Sequence, residues 1–334
     1  MDPGAAPPQE LRRPGAVPPP RGLGARRLPG SVRHRPGTPR HDGGPHWLPE
    51  DTVPLEPPAD RATWTDIRYR QRGEVGFLSF SFPGGAMSTD QCRRLLAAYR
   101  RALTRPTSVL VLGGARDFFS NGIHLNVIEA SADPAGESWA NLNAMNDLVE
   151  AVVRTTDRLV VAALGGNAAA GGVMLALAAD QVWCRTGSVL NPHYRRMGLY
   201  GSEYWTYTLP RRVGAGTAAR LTTEALPVSA AAAARIGLVD RLVPVPAREF
   251  TGEVEHMAAA LAEDPDLTER IAARAAARQA DEARRPLGEY RRDELARMRA
   301  IFFDPRAPYH CLRSAFVRKQ PSGSANPLAT GGAR

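Results

Sequence analysis

The chain has 334 residues, of which 43% are hydrophobic, with a formal net charge of +9; that length allows one large domain or two modest ones around a buried core. No apolar run reaches the roughly 18 residues a membrane helix needs, and the N-terminus lacks the apolar stretch of a secretory signal, so neither a membrane partner nor export is expected. Cys92, Cys184 and Cys311 are far apart and form no CxxC pair, which argues against a disulfide framework or a metal site and fits a reducing cytoplasm.

Residues 1–60 are dominated by Pro, Gly and Arg. Eight arginines fall in the first forty residues, opposed only by Asp2 and Glu10, so six of the nine excess charges belong to this stretch. No aromatic residue interleaves with them before Trp47, so a stacking platform for single strands is missing and no nucleic-acid partner is expected. Such a segment cannot bury enough apolar surface to offset its ordering entropy, and it is predicted to be disordered. A folded domain is predicted over residues 64–250, then a helical region over 251–320 and a disordered tail over 321–334.

Within that domain, Glu74–Phe82 has strand composition. Ser88 can cap a helix running to Arg105, with Cys92, Leu95, Leu96, Tyr99 and Leu103 at helical spacing. Val109–Leu112 reads as a short strand, 137–154 as a helix, Val160–Leu164 as a strand, Gly172–Ala179 as a helix and Asp180–Cys184 as a strand. From Ser202 onward the pattern is helical: Glu203–Arg212, Ala215–Thr223, Ala230–Ile236, Phe250–Ala262, and a long polar stretch from Leu267 to Met298 that Pro286 must interrupt. Strands alternating with helices predict an α/β fold.

Two motifs could carry chemistry. DFFSNGIHL (Asp117–Leu125) follows a strand, and its glycine permits a sharp turn with free amides. GNAAAGGVMLALAAD (Gly166–Asp180) places small residues between a strand and an apolar helix. It matches neither a phosphate-binding P-loop nor the GxGxxG dinucleotide fingerprint. Each alone reads equally as close strand–helix packing. Together, two strand-to-helix turns about fifty residues apart could each give one backbone N–H to a single oxygen, which is an oxyanion hole.

This pair of segments resembles the signature of the crotonase (enoyl-CoA hydratase/isomerase) superfamily, and AAAARIGLVDRLVP (Ala231–Pro244) is similar to the family's later helix and Gly-Leu-Val-Asp. The resemblance implies a crotonase-like ββα spiral and a coenzyme A thioester as substrate, with no permanently bound cofactor. By match, the oxyanion amides are those of Ile123 and Gly171, with Ser120, Asn121, Gly122 and Gly172 shaping the substrate turns. The two glutamates of a hydratase fall at Met174 and Tyr194 here, so the groups that activate water are missing. Met174 is then left as a substrate contact.

FPGGAMSTDQC, SNGIHLNVIEA, ESWANLNAMNDL, VLNPHY, YGSEYWTYTLPRRVG and YHCLRSAFVRK all resemble the C-terminal domain of the HypX/HoxX hydrogenase maturation factors. That resemblance implies cleavage of formyl-CoA to coenzyme A and carbon monoxide for a NiFe-hydrogenase. It also implies a separate formyltransferase and other maturation proteins as partners, since residues 1–60 are too short for that domain. Homo-oligomerisation, common among crotonases, stays open. Tyr194 stands at the catalytic-acid position, and Glu203 is the candidate carboxylate at the start of a helix. Each reads otherwise as a structural residue, as do His124, His193, Asn121 and Asn191. Tyr204, Trp205 and Tyr207 either wall an acyl pocket or pack the helix. Arg116, Arg195 and Arg196 are the candidate phosphate contacts. A generic enoyl-CoA hydratase/isomerase and an inactive CoA-binding remnant are the alternative readings.

Overall fold

A computed structural model of the chain describes residues 66–113 and 117–320. The segments 1–60 and 321–334, predicted to be disordered, and Arg116 lie outside those residues.

β1 (Ile67–Arg72) and β2 (Val75–Phe80) pair antiparallel. α1 (Thr89–Leu103) starts on a reciprocal cap: the Gln91 N–H donates to the Ser88 hydroxyl, and the Ser88 N–H donates to the Gln91 side chain. Then come β3 (Val109–Gly113), β4 (Phe118–Ser120), α2 (Leu125–Ala130) and α3 (Pro134–Arg154). The unit repeats as β5 (Leu159–Leu164), β6 (Asn167–Ala169) and α4 (Gly171–Leu177). A third unit brings β7 (Gln181–Arg185), β8 (Val189–Asn191), a 3-10 turn at Tyr194–Met197, α5 (Trp205–Val213) and α6 (Ala215–Glu224). β9 (Val228–Ser229), α7 (Ala230–Arg235) and β10 (Arg241–Val243) close the spiral. Four helices finish the described residues: α8 (Phe250–Ala262), α9 (Leu267–Arg284), α10 (Leu287–Phe303) and α11 (Pro308–Val317).

One sheet has the order β1-β2-β3-β5-β7-β10 and the other β4-β6-β8-β9. β2, β3, β5, β7 and β10 run parallel, as do β4, β6 and β8. Each turn of the chain thus lays one strand in each sheet before a helix returns it. This is the predicted ββα spiral. The strands of the second sheet are two or three residues long, too short to show a period in sequence.

Alternation along the large sheet divides its core between two faces. Leu110, Leu112, Val160 and Ala162 pack with Leu95 and Tyr99 of α1 and with Met145 and Val149 of α3. Val109, Val111, Val161 and Trp183 face the other way, onto Phe250, Val254 and Ala258 of α8. Strands covered on both faces explain the unbroken apolar runs in β3 and β5. The long helix predicted from Leu267 breaks at Pro286, where Arg285 is extended (φ −154, ψ 111) as a residue before proline must be. α10 and α11 then fold back: Met298, Phe302 and Tyr309 pack against Leu142 of α3, and the hydroxyls of Tyr309 and Ser138 lie 2.8 Å apart.

Candidate active site

The two motif turns meet. After β4 the chain turns at Gly122, whose φ of +77 only glycine adopts easily. The Gly122 N–H donates to the Ser120 hydroxyl at 3.1 Å, and the Asn121 side chain donates to the Gly84 carbonyl at 2.7 Å. The Met87 N–H donates to the Gly122 carbonyl at 2.8 Å, which pins the turn to the segment before α1. After β6 the chain turns at Ala170, held at φ +46, with its N–H donating to the Asn191 carbonyl at 2.9 Å. A Cβ on Gly122 would sit 3.0 Å from the Gly171 nitrogen, and one on Gly172 would collide with the Ser120 carbonyl. Glycine at both positions is what lets the turns touch. Among the described residues, neither the Ile123 nor the Gly171 amide donates to a protein acceptor.

Both residues line a cavity of about 50 Å³. Its polar lining is Asn121, His193, Tyr194 and Glu203, and Leu142, Leu199 and Met298 are among its apolar walls. The Tyr194 hydroxyl donates to Glu203 Oε2 at 2.7 Å, and the Ser202 N–H donates to the same oxygen at 3.2 Å. The other oxygen lies against Gly171, because a Cβ there would fall 2.6 Å from Glu203 Oε1. Gly201 is needed beside the Tyr194 ring, 2.6 Å from where its Cβ would stand. The Glu203 N–H and the Ser202 hydroxyl both reach Asn146 Oδ1, at 3.1 and 3.0 Å.

Burial sets the electrostatics. Glu203 is 1% exposed, and desolvation pushes its carboxyl up to about 7; the Tyr194 hydrogen bond opposes the shift and the nearby Glu294 carboxylate adds to it. Burial, then the charge of Glu203, hold the Tyr194 phenol well above its ordinary value of 10.0. Tyr194 is therefore a proton donor to Glu203 at any ordinary pH. Burial also raises Glu294 to about 7.

Of the predicted residues, Asn121, Ile123, Gly171, Tyr194 and Glu203 line the cavity. Ser120, Gly122 and Gly172 lie behind it and shape the two turns. Met174 is fully buried in the main core, its sulfur 4.0 Å from the Thr208 hydroxyl. Glu203 does not begin a helix as predicted: it and Tyr204 take left-handed backbone (φ +60 and +59), and α5 starts at Trp205. The favourable helix dipole is therefore not the reason for a glutamate here. Tyr204 walls nothing in the cavity; its ring is buried and its hydroxyl donates to Glu150 at 2.7 Å. Tyr207 reaches Asp281, and Trp205 packs on Tyr200. His124 caps α2 by accepting the Val127 N–H, and His193 holds the Asn191 carbonyl at 2.9 Å through Nδ1. Arg195 and Arg196 are exposed on the turn that carries Tyr194. Sequence reasoning missed Met298 and Glu294. The signal was present: Leu287, Glu294, Met298 and Phe302 share one helical stripe, and a glutamate on an apolar stripe is out of place.

Among the described residues, no group of three His, Cys, Asp or Glu is set to hold a metal, and no helix is long and apolar enough to cross a membrane. The signature described as Enoyl-CoA hydratase/isomerase matches residues 83–299. The hydrogenase maturation factor HoxX of Bradyrhizobium diazoefficiens is 51% identical over 81% of this chain and 48% of its own. The crystal structure of HypX from Aquifex aeolicus in complex with tetrahydrofolic acid is 41% identical, with a TM-score of 0.76 over 80% of this chain and 48% of that one. The chain thus spans about half the length of these relatives. An enoyl-CoA hydratase from Bacillus halodurans, 19% identical, shares the fold alone, with a TM-score of 0.64 over 75% of this chain and 99% of that one. A two-sheet spiral, two touching glycine turns and a signature over most of the folded residues agree: the chain belongs to the enoyl-CoA hydratase/isomerase family.

Proposed function

We propose that the chain cleaves formyl-CoA to coenzyme A and carbon monoxide in the maturation of a NiFe-hydrogenase. The observation that carries this reading is the buried Tyr194–Glu203 pair laid against Gly171, in a family whose members act on coenzyme A thioesters. The cavity, about 50 Å³, corresponds to roughly three to five waters by volume, a space suited to a one-carbon acyl group.

Formyl-CoA has no α-carbon, so enolate chemistry is closed to it. Its cleavage breaks the formyl C–H and C–S bonds and forms one S–H bond, with no redox change. In this reading the amides of Ile123 and Gly171 hold and polarise the carbonyl oxygen, where they stabilise any negative charge that develops. Glu203, as carboxylate, takes the formyl proton on Oε1, and the C–S electrons leave with sulfur. The proton then passes from Glu203 to the thiolate. A carboxyl with its pKa near the working pH can both accept and return a proton, and Tyr194, always protonated, holds Oε2 so that Oε1 faces the substrate. A dry cavity protects the thioester from hydrolysis. Arg195 and Arg196 are the candidate contacts for the coenzyme A phosphates. A separate formyltransferase would supply the formyl-CoA.

The test is direct. Purified chain and formyl-CoA are mixed with deoxyhaemoglobin, and the carbonyl complex is followed by absorbance. Carbon monoxide should appear with the native chain and not with a Tyr194→Phe/Glu203→Gln double variant. Equal release from both would overturn the reading.

A further inference from the structure

Glu294 is fully buried in the middle of α10, and a buried carboxylate persists only where donors meet it. Three do. Its Oε2 accepts the Tyr204 N–H at 2.9 Å, and its Oε1 accepts the Thr206 N–H at 2.9 Å and the Thr206 hydroxyl. Tyr204 precedes α5 and offers the helix no side-chain cap. Glu294 thus caps α5 from ninety residues away.

The grip falls on a strained place. Glu203 and Tyr204 both lie in the left-handed region, where non-glycine residues remain only when their surroundings hold them. Asn146 holds the Glu203 amide from α3, and Glu294 holds the Tyr204 amide from α10. That turn sets where the Glu203 carboxylate points. The titratable groups around it are Tyr194 on its own segment, Cys92 of α1, His193 on the cavity wall and Glu294.

We propose that Glu294 is a positioning residue for the Tyr194–Glu203 pair: by gripping the Tyr204 amide it locks the left-handed turn that lays the Glu203 carboxylate against Gly171. Its effect on turnover rests on the formyl-thioester reading, whereas its effect on the geometry of Glu203 does not. Glu294 also places a second buried charge near Glu203, which keeps the Glu203 proton bound to higher pH.

Infrared difference spectroscopy of the full chain against pH tests this without substrate. The Glu203 carboxylic acid band is identified as the one lost in Glu203→Gln, and its frequency reads the hydrogen bond from Tyr194. A glutamine at 294 offers one acceptor oxygen where glutamate has two, so its amino group meets a backbone N–H donor to donor. In Glu294→Gln the Glu203 band should change frequency, and its midpoint should move to lower pH. Thr206→Val keeps the charge of Glu294 and removes one of its donors, and it should move the band frequency in the same sense by less. It also serves if Glu294→Gln does not fold. An unchanged Glu203 frequency in every variant that folds would overturn the proposal, even with a lowered melting temperature. A native chain that releases no carbon monoxide, yet whose Glu203 band moves in these variants, would overturn the functional reading and leave the positioning role standing.

Discussion

Replacing Glu203 by glutamine removes a negative charge from a residue that is 1% exposed and keeps an oxygen for the Tyr194 hydroxyl and the Ser202 N–H. The carboxyl stands at about 7 against an ordinary 4.5. At 1.36 kcal/mol per pH unit, that displacement is worth about 3 kcal/mol. The folded-state value is the raised one, so folding favours the protonated form. The native chain therefore loses this stability as the pH rises from 4.5 through 7, and keeps it below. Glutamine cannot ionise and loses nothing. At pH 8.5 the variant should be more stable by up to about 3 kcal/mol, or roughly 6–12 °C in melting temperature for a folded part of this size. At pH 5 the gap should shrink to under about 1 kcal/mol, because the folded carboxyl is still protonated and the unfolded one is only about half a pH unit past its own midpoint. Circular dichroism melts of both proteins at the two pH values measure this, beside carbon monoxide release, which should drop by about a hundredfold or more. A melting difference independent of pH would refute the reasoning, since it would mean that Glu203 is solvated and does not titrate near neutrality.

In Gly171→Ala the new methyl meets Glu203 Oε1; carbon monoxide release should fall at least about tenfold, with little change in the urea midpoint because the carboxylate can swing aside. Gly172→Ala meets the Ser120 carbonyl, which is backbone and cannot swing; urea denaturation should show a loss of about 2–4 kcal/mol. Tyr194→Phe removes the hydrogen bond that holds the Glu203 carboxyl down, so the acid limb of the rate profile should move to higher pH, and a limb that stays in place would count against the pair.

The frame of the molecule was legible because its information is local. The capping box at Ser88, the unbroken apolar runs of β3 and β5 and the stop at Pro286 each act within a few residues. The two glycine turns were legible too, since no other residue allows backbones so close. What escaped is long-range. The left-handed turn at Glu203 and Tyr204 has no local cause; non-glycine residues there would otherwise continue a helix, and the Asn146 and Glu294 side chains that prevent it come from α3 and α10. The same holds for Tyr204. An aromatic beside a candidate catalytic residue reads as a pocket wall, but the turn aims its ring inward to Glu150.

The fold-back of α10 has a consequence for motion. Its contacts to the site join residues about ninety or more apart: Glu294 to Tyr204, and Met298 to the Gly201 amide at 3.3 Å. Such contacts form late in folding, after the entropy of closing long loops has been met. Parts of a fold open locally with different free energies, and α10 carries fewer core side chains than the strands do, with Leu287, Met298 and Phe302 its buried apolar residues. Hydrogen exchange should therefore find the Gly201 and Tyr204 amides released together with α10, well below the free energy that protects β3 and β5. The two sheets would outlast the site, and the chain would pass through a state that keeps its family fold but has lost the geometry around Glu203.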